Sequence, residues 1–231
     1  MLTLTYDDEH LPHYGQLVKA DLQKFFKRLR KEYGKFRYVA CGEYGDSSRR
    51  PHFHVCLFGL DFGDDRIHYS FAKGGDRTYR SKRLASVWGA GQHDIGSLNF
   101  ESAAYVARYI MKKVKGIGAS PLPLATLDDG ELIMPKPEFL CMSKGIGKLW
   151  FRQFFMTDVF PTGSVITAQS SVAPVPRYYK TLLKEVGEDL ALEMTHKGLA
   201  RMDEKRDQIA YENMAHRKVA RSDVSLSRAK Q

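Results

Sequence analysis

Phe36-Arg37-Tyr38-Val39-Ala40-Cys41-Gly42-Glu43 and His52-Phe53-His54-Val55-Cys56-Leu57-Phe58 are the two runs whose reading decides the fold. Both are rich in aromatic and β-branched residues, and Tyr44-Gly45-Asp46-Ser47-Ser48-Arg49-Arg50-Pro51 between them is polar, basic and turn-forming. Together they read as a β-hairpin with a long loop. Side chains two apart share a strand face, so His52 and His54 project together while Phe53 and Val55 face the other way. If the hairpin pairs Glu43 with His52, Cys41 falls opposite His54 and all four side chains lie on one face of the sheet. A carboxylate and two imidazoles meeting at one point hold a divalent metal and leave positions open on it, as a catalytic site requires. His-x-His alone is weak, and Glu43 also reads as a strand-end carboxylate paired with Arg49 or Arg50; three donors on one face raise the weight of the metal reading.

Working outward, Leu2, Leu4 and Tyr6 alternate with Thr3, Thr5 and Asp7, which predicts a strand at the start of the sequence. Leu22, Phe25, Phe26, Leu29 and Tyr33 recur at helical spacing and predict an amphipathic helix over Lys19 to Tyr33, with Lys24, Lys27, Arg28 and Lys31 outward. Gly59 to Gly96 reads as irregular, with a short helix around Arg83 to Trp88. Its Lys73, Arg77, Arg80, Lys82 and Arg83 suit a nucleic-acid groove or a solvated loop equally. Glu101 to Lys115 reads as a helix stopped by Gly116 and Gly118. Gly116 to Pro137 is expected to be a linker or lid, and Trp150 to Phe160 is aromatic-rich. The organisation expected is a domain over residues 1–160, a Pro-containing linker over 161–176 and a charged helical tail over 177–231.

The helix around Tyr105-Val106-Ala107-Arg108-Tyr109-Ile110-Met111-Lys112-Lys113 carries the second chemical signal. At 100° per residue Ala103, Val106, Ala107, Ile110 and Val114 form the buried stripe, and Tyr105, Tyr109 and Lys112 sit together on the opposite side. Tyrosines at helical spacing usually belong to a core, but here the core stripe is already supplied. A phenol has a pKa of about 10 and needs a metal-polarised phosphate or a neighbouring cation to attack near neutrality. Arg108, Lys112, Lys113 and Lys115 provide the cations.

The 231 residues carry 36 Lys+Arg against 27 Asp+Glu, a formal charge of +9. Such a surplus attracts phosphate polymers or acidic membranes. With 43% hydrophobic residues the chain can build an ordinary core, which excludes a wholly disordered, collagen-like or coiled-coil protein. Three cysteines with no Cys-x-x-Cys argue against a disulfide framework and fit a reducing compartment. There is no signal peptide and no apolar run long enough to span a membrane.

In this order, the strand Leu2-Thr3-Leu4-Thr5-Tyr6, the segment His52-Phe53-His54 with upstream Glu43, and the paired-tyrosine helix resemble the HUH endonucleases that initiate rolling-circle replication. Thr3-Leu4-Thr5-Tyr6-Asp7-Asp8-Glu9-His10-Leu11-Pro12 and Glu101-Ser102-Ala103-Ala104-Tyr105-Val106-Ala107-Arg108-Tyr109 are particularly similar to the initiators of Microviridae phages of the gokushovirus type. The likeness covers Met1 to about Lys115, and more loosely Met142 to Gly147 and Pro176 to Tyr179. It implies an α+β fold, a central antiparallel sheet of four to five strands flanked by helices, followed here by the helical tail. It further implies that residues 1–160 are a nicking endonuclease domain. Glu43, His52 and His54 would hold Mg²⁺ or Mn²⁺ against the scissile phosphate. Tyr105 or Tyr109 would attack to give a 5′-phosphotyrosyl enzyme and a free 3′-OH, and the other tyrosine would serve a second transfer that rejoins the strand. Lys112 would position or neutralise the phosphate, with Lys113 as competitor. Thr3, Thr5, Arg49, Arg50, Arg108 and Lys113 are candidate DNA contacts.

Two departures qualify the likeness. Relatives usually carry an extension before the first strand, so this chain is expected to be either truncated or naturally short. The third metal ligand varies in position, leaving Asp7 or Asp8 as alternatives to the favoured Glu43. Two other readings compete, a non-catalytic single-strand-binding module and a phosphohydrolase that uses water. The tail, with 12 Lys+Arg and 9 Asp+Glu, suits packing, dimerisation or recruitment of a host helicase or polymerase, and a solvated helix is slightly favoured. The partner expected is single-stranded origin DNA, without a membrane, in the cytoplasm of a bacterial host.

Overall fold

A computed structural model describes residues 1–72, 74–104, 106–107, 125–126, 130, 132–167 and 172–228, with 125–126, 209–211 and 213–228 described by backbone alone. The chain divides into two compact units, Met1–Ile146 and Gly147–Gln231.

The first unit is built on strands β1 (Leu2–Tyr6), β2 (Arg37–Tyr44), β3 (Pro51–Phe58), β4 (Arg66–Phe71), β5 (Arg77–Ser81) and β6 (Gly91–Ile95). Further along come the short β7 (Ala125–Thr126) and β8 (Leu132–Ile133), which pair with each other, and β9 (Phe139–Met142). Helix α1 spans Lys19–Tyr33, α2 spans Lys82–Trp88, and α3 takes in residues 100–104 and 106–107. The main sheet has seven strands in the order β4-β5-β6-β1-β3-β2-β9, and its recorded pairings are antiparallel. The α+β class is as the sequence implies, but the sheet is larger than four to five strands. The added strands come mainly from 59–96, expected to be irregular. All of β4 is exposed, so it lacks the apolar alternation by which a strand is recognised.

Leu2, Leu4 and Tyr6 of β1, with Phe53 and Val55 of β3, face α1 and α2 in one core. From α1 come Leu22, Phe25, Phe26 and Leu29, the apolar stripe expected from the sequence, and from α2 Leu84, Val87 and Trp88. Phe53 sits among Tyr6, Trp88 and Phe139, with ring centroids 5.7, 5.9 and 6.2 Å away. Arg28 ties the two helices: its Nε and Nη2 donate to the carbonyls of Val87 and Trp88 at 2.7 and 2.9 Å, where α2 ends and its carbonyls lack partners. Gly42 is required for packing, since a Cβ there would lie 2.6 Å from the Phe139 ring.

In the second unit α4 (Lys148–Phe154) runs into a wide helical turn, Phe155–Val159, followed by the hairpin of β10 (Ser164–Ile166) and β11 (Val172–Pro174). This hairpin occupies the stretch expected to be a linker. Helices α5 (Arg177–Val186) and α6 (Glu188–Arg228) account for the helical tail. The tail is not merely solvated at its start: Leu182, Leu183, Ala191 and Met194 pack with Phe151, Val159 and Val175.

Phe53→Ala is expected to destabilise the protein by about 3–5 kcal/mol, the usual cost of emptying a buried aromatic site. Urea denaturation followed by circular dichroism measures it, and a loss below about 1 kcal/mol would contradict the packing described.

Candidate metal centre

The site starts from the hairpin register. Cys41 pairs with His54 and Glu43 with His52, the pairing the sequence predicts. A slip of one residue would turn Phe53 and Val55 out of the core, which is what holds the register in place. On the other side of β3, β1 pairs Thr3 with His54 and Thr5 with His52, and β6 pairs Asp94 with Thr3 and Gln92 with Thr5. Two polar rows therefore cross the sheet on the face away from α1 and α2: Gln92, Thr5, His52, Glu43 and Asp94, Thr3, His54, Cys41.

At the end of these rows the Nε2 atoms of His52 and His54 each lie 2.9 Å from Oε1 of Glu43. One ligand atom from each of the three residues lies within 4.8 Å of the others. The far side of each ring is also held, His52 Nδ1 at 3.1 Å from the Arg50 carbonyl and His54 Nδ1 at 3.1 Å from Thr3 Oγ1. A carbonyl only accepts, so Arg50 fixes a proton on His52 Nδ1 and directs Nε2 at Glu43. An imidazole oriented from behind in this way is the arrangement found around metal ligands.

Glu43 is 4% exposed, and its Oε2 is buried without a hydrogen-bond partner among the described residues. Burial works to raise its carboxyl pKa, but the hydrogen bonds and charge of His52 and His54 outweigh burial and hold it at about 2. The contacts need positive charge between imidazole and carboxylate, either as protons on Nε2 or as a cation. Two imidazole nitrogens, a carboxylate and an orphaned carboxylate oxygen fit a divalent ion. Cys41 is not a fourth ligand of the same kind: burial, and then the negative Glu43, push its thiol to about 12, so it stays protonated.

The alternative carboxylates are engaged elsewhere. Asp7 accepts from the backbone N–H of His10 and lies 2.7 Å from its Nδ1, while Asp8 pairs with Arg50. Thr3 and Thr5 lie in the polar rows, and Thr3 supports His54 directly. Arg50 serves the scaffold, with Nη1 donating to the Tyr6 carbonyl at 2.7 Å. Arg49, in the left-handed region at φ 54°, lays its guanidinium 5.3 Å from the Tyr44 ring centre.

Tyr105, Arg108, Tyr109, Lys112 and Lys113 lie outside the described residues. Val106, buried at 2%, packs with Cys41 and Cys56, so this part of α3 lies on the metal-site face of the sheet. Ala107 is exposed, which corrects its place in the expected buried stripe. The apolar patch there is small, Cys41 and Cys56 with Met1, Val39, Leu98 and Leu140 around them, and Val106 meets it. Sequence reasoning missed Gln92 and Asp94, because β6 follows a glycine and its His93 is a core residue accepting from the Ser81 N–H, not a surface one.

The family described as replication-associated protein ORF2 matches residues 1–114, which include every residue of this site. Replication-associated protein VP4 of Bdellovibrio phage phiMH2K is 32% identical over 223 residues, covering 90% of this chain and 67% of that protein. Replication-associated protein ORF2 of Spiroplasma virus 4 is 30% identical over 233 residues, covering 96% and 67%, and ORF4 of Chlamydia phage 1 is 31% identical over 203 residues, covering 82% and 47%. No solved structure matches the chain. The chain belongs to the replication-associated proteins of the Microviridae. Its place is thus in phage DNA replication. Among the described residues no helix is long and apolar enough to cross a membrane.

The depressed Glu43 pKa has a sign that can be tested on metal-free protein. Its folded value of about 2 lies below the ordinary 4.5, so its stabilisation is complete above about pH 4.5 and is lost as pH falls toward 2. Glu43→Gln is therefore expected to flatten the fall in urea midpoint between pH 5 and pH 3. An unchanged fall would show that Glu43 is not held as described.

Proposed function

We propose that the chain is an HUH-type rolling-circle initiator whose nicking domain lies within residues 1–160 and cuts single-stranded origin DNA by transfer to tyrosine. The observation that carries this reading is the convergence of His52 and His54 on one Glu43 oxygen, inside the segment that the replication family matches. Mg²⁺ or Mn²⁺ bound by Glu43, His52 and His54 would supply Lewis acidity at the scissile phosphate. Thr3 and the Arg50 carbonyl hold the two imidazoles in place. The phenolic oxygen of Tyr105 or Tyr109 attacks phosphorus, the bond to the 3′ oxygen breaks, and that oxygen leaves as a 3′-OH once it takes a proton. The product is a 5′-phosphotyrosyl enzyme. The second tyrosine attacks in a later transfer that rejoins the displaced strand. Lys112 neutralises the phosphoryl group as charge develops. The remaining positive surplus holds the DNA backbone. In this reading the protein acts in the host cytoplasm on origin DNA, and a host helicase or polymerase joins it there.

The test is incubation of the protein with end-labelled single-stranded DNA of its own replicon, with Mn²⁺, Mg²⁺ or EDTA, on a denaturing gel. Metal-dependent adduct is expected, impaired turnover from Tyr105→Phe or Tyr109→Phe, and no adduct from the double variant. Normal adduct from the double variant sinks the tyrosine assignment, and cleavage without adduct favours attack by water. His52→Ala with His54→Ala should abolish cleavage while leaving much of the DNA binding; unchanged cleavage would place the metal elsewhere.

A further inference from the structure

Beyond the metal centre, the same face of the sheet opens a cleft. Strands β5 and β6 pair at Tyr79 and Ile95, and no other β5–β6 pair is recorded among the described residues, so they part toward Ser81 and Gly91. The Ser81 N–H, instead of entering a ladder, donates to the His93 ring at 3.0 Å. The gap holds a cavity of about 380 Å³ whose walls include Ile67, Tyr69, Arg80, Lys82 and Gln92. That volume is within the range of small-ligand sites.

Three features of this wall point to a ligand. Tyr69 stands at a register shift between His68 and Ser70, and it is 56% exposed although it lies on a strand. The Arg80 guanidinium lies 3.5 Å from the centre of the Tyr69 ring. Arg80 is also held from behind, its Nε buried and 3.6 Å from Asp94 Oδ1, which is too far and too poorly placed to be a hydrogen bond. Asp94 pairs with Thr3, and Thr3 bonds His54, so one chain of contacts runs from the cleft to the metal centre. Three strand steps separate β5 from β3, about 14 Å at the usual interstrand spacing.

We propose that this cleft seats a nucleotide of the single-stranded DNA that crosses the sheet, its base stacked on the Tyr69–Arg80 pair and its phosphate drawn by Arg80 and Lys82. Gln92, exposed at the cleft and two strands from His52, offers an amide to the base edge. The inference rests on the proposed action on single-stranded DNA and adds the place where a flanking nucleotide is gripped. An aromatic face accepts any base, and a cation beside it ties the grip to the backbone, the combination by which single strands are held.

The experiment is fluorescence anisotropy of a labelled oligothymidylate with the full chain in EDTA, so that cleavage does not intervene. Tyr69→Ala is expected to weaken binding about tenfold or more, and Tyr69→Phe to bind nearly as the parent. Arg80→Gln should weaken binding and lower the salt dependence by about one unit of slope. Because β4 is wholly exposed, circular dichroism is expected to show each variant folded. Unchanged affinity in Tyr69→Ala overturns the proposal, as does unchanged affinity accompanied by an altered oligomeric state, which would make β4 a strand-pairing edge. The two readings fail separately: Tyr69-dependent binding by a protein that forms no adduct keeps the cleft and sinks the nicking mechanism, and adduct with Tyr69-independent binding does the reverse.

Discussion

The convergence of two imidazoles on one carboxylate oxygen depends on a single register, Glu43 against His52. Nothing polar could fix that register by itself, because a buried carboxylate with an unpartnered oxygen is a cost to the fold. The opposite face of the same hairpin supplies the constraint. Phe53 and Val55 are wholly buried, and a buried aromatic or aliphatic side chain contributes about 1.5–3 kcal/mol. A slip would expose both and bury the histidines against α1 and α2. The core on one side thus sets the geometry of the chemistry on the other.

The polar face is arranged so that each donor has support from a neighbouring strand. His54 leans on Thr3 of β1 and His52 on the backbone at Arg50 just ahead of β3. Arg50 is itself fastened to the Tyr6 carbonyl and Asp8, so the loop end that orients His52 is tied to the end of β1. Three elements distant in sequence are needed to aim two rings. This explains why Arg50, attractive as a phosphate contact from its charge, is instead spent on position.

The hairpin, the α1 stripe and the metal donors were legible in the sequence because each follows a strict period, two for strands and about 3.6 for the helix, with one face apolar. Where burial is one-sided, period reveals structure. Strand β4 lies at the sheet edge with both faces exposed, so its composition resembles a loop, and β6 hides a core histidine among polar neighbours. The β10–β11 hairpin is three residues a side, too short for alternation to register, and its flanking prolines suggested a linker. Asp94 and Gln92 join the site through β1, two strands from the histidines, a relation that spacing along the chain does not carry.

Charge then determines how such a face meets a nucleic acid. With neutral imidazoles the triad carries the single negative charge of Glu43, and Asp94 adds another nearby on the same face, only partly offset by Arg80. A phosphodiester approaching this surface is repelled at short range even though the chain as a whole is +9. Long-range attraction brings DNA to the protein, but screening beyond about 10 Å at ordinary salt leaves the local sign to decide where the phosphate settles. Occupancy of the triad by a divalent cation changes its formal charge from −1 to +1. The metal-free sheet centre is therefore a place DNA passes over, held by cations around it, and the same centre with its cation is a place a phosphate occupies. Binding and chemistry on this face are separable for an electrostatic reason, without any change in the strands.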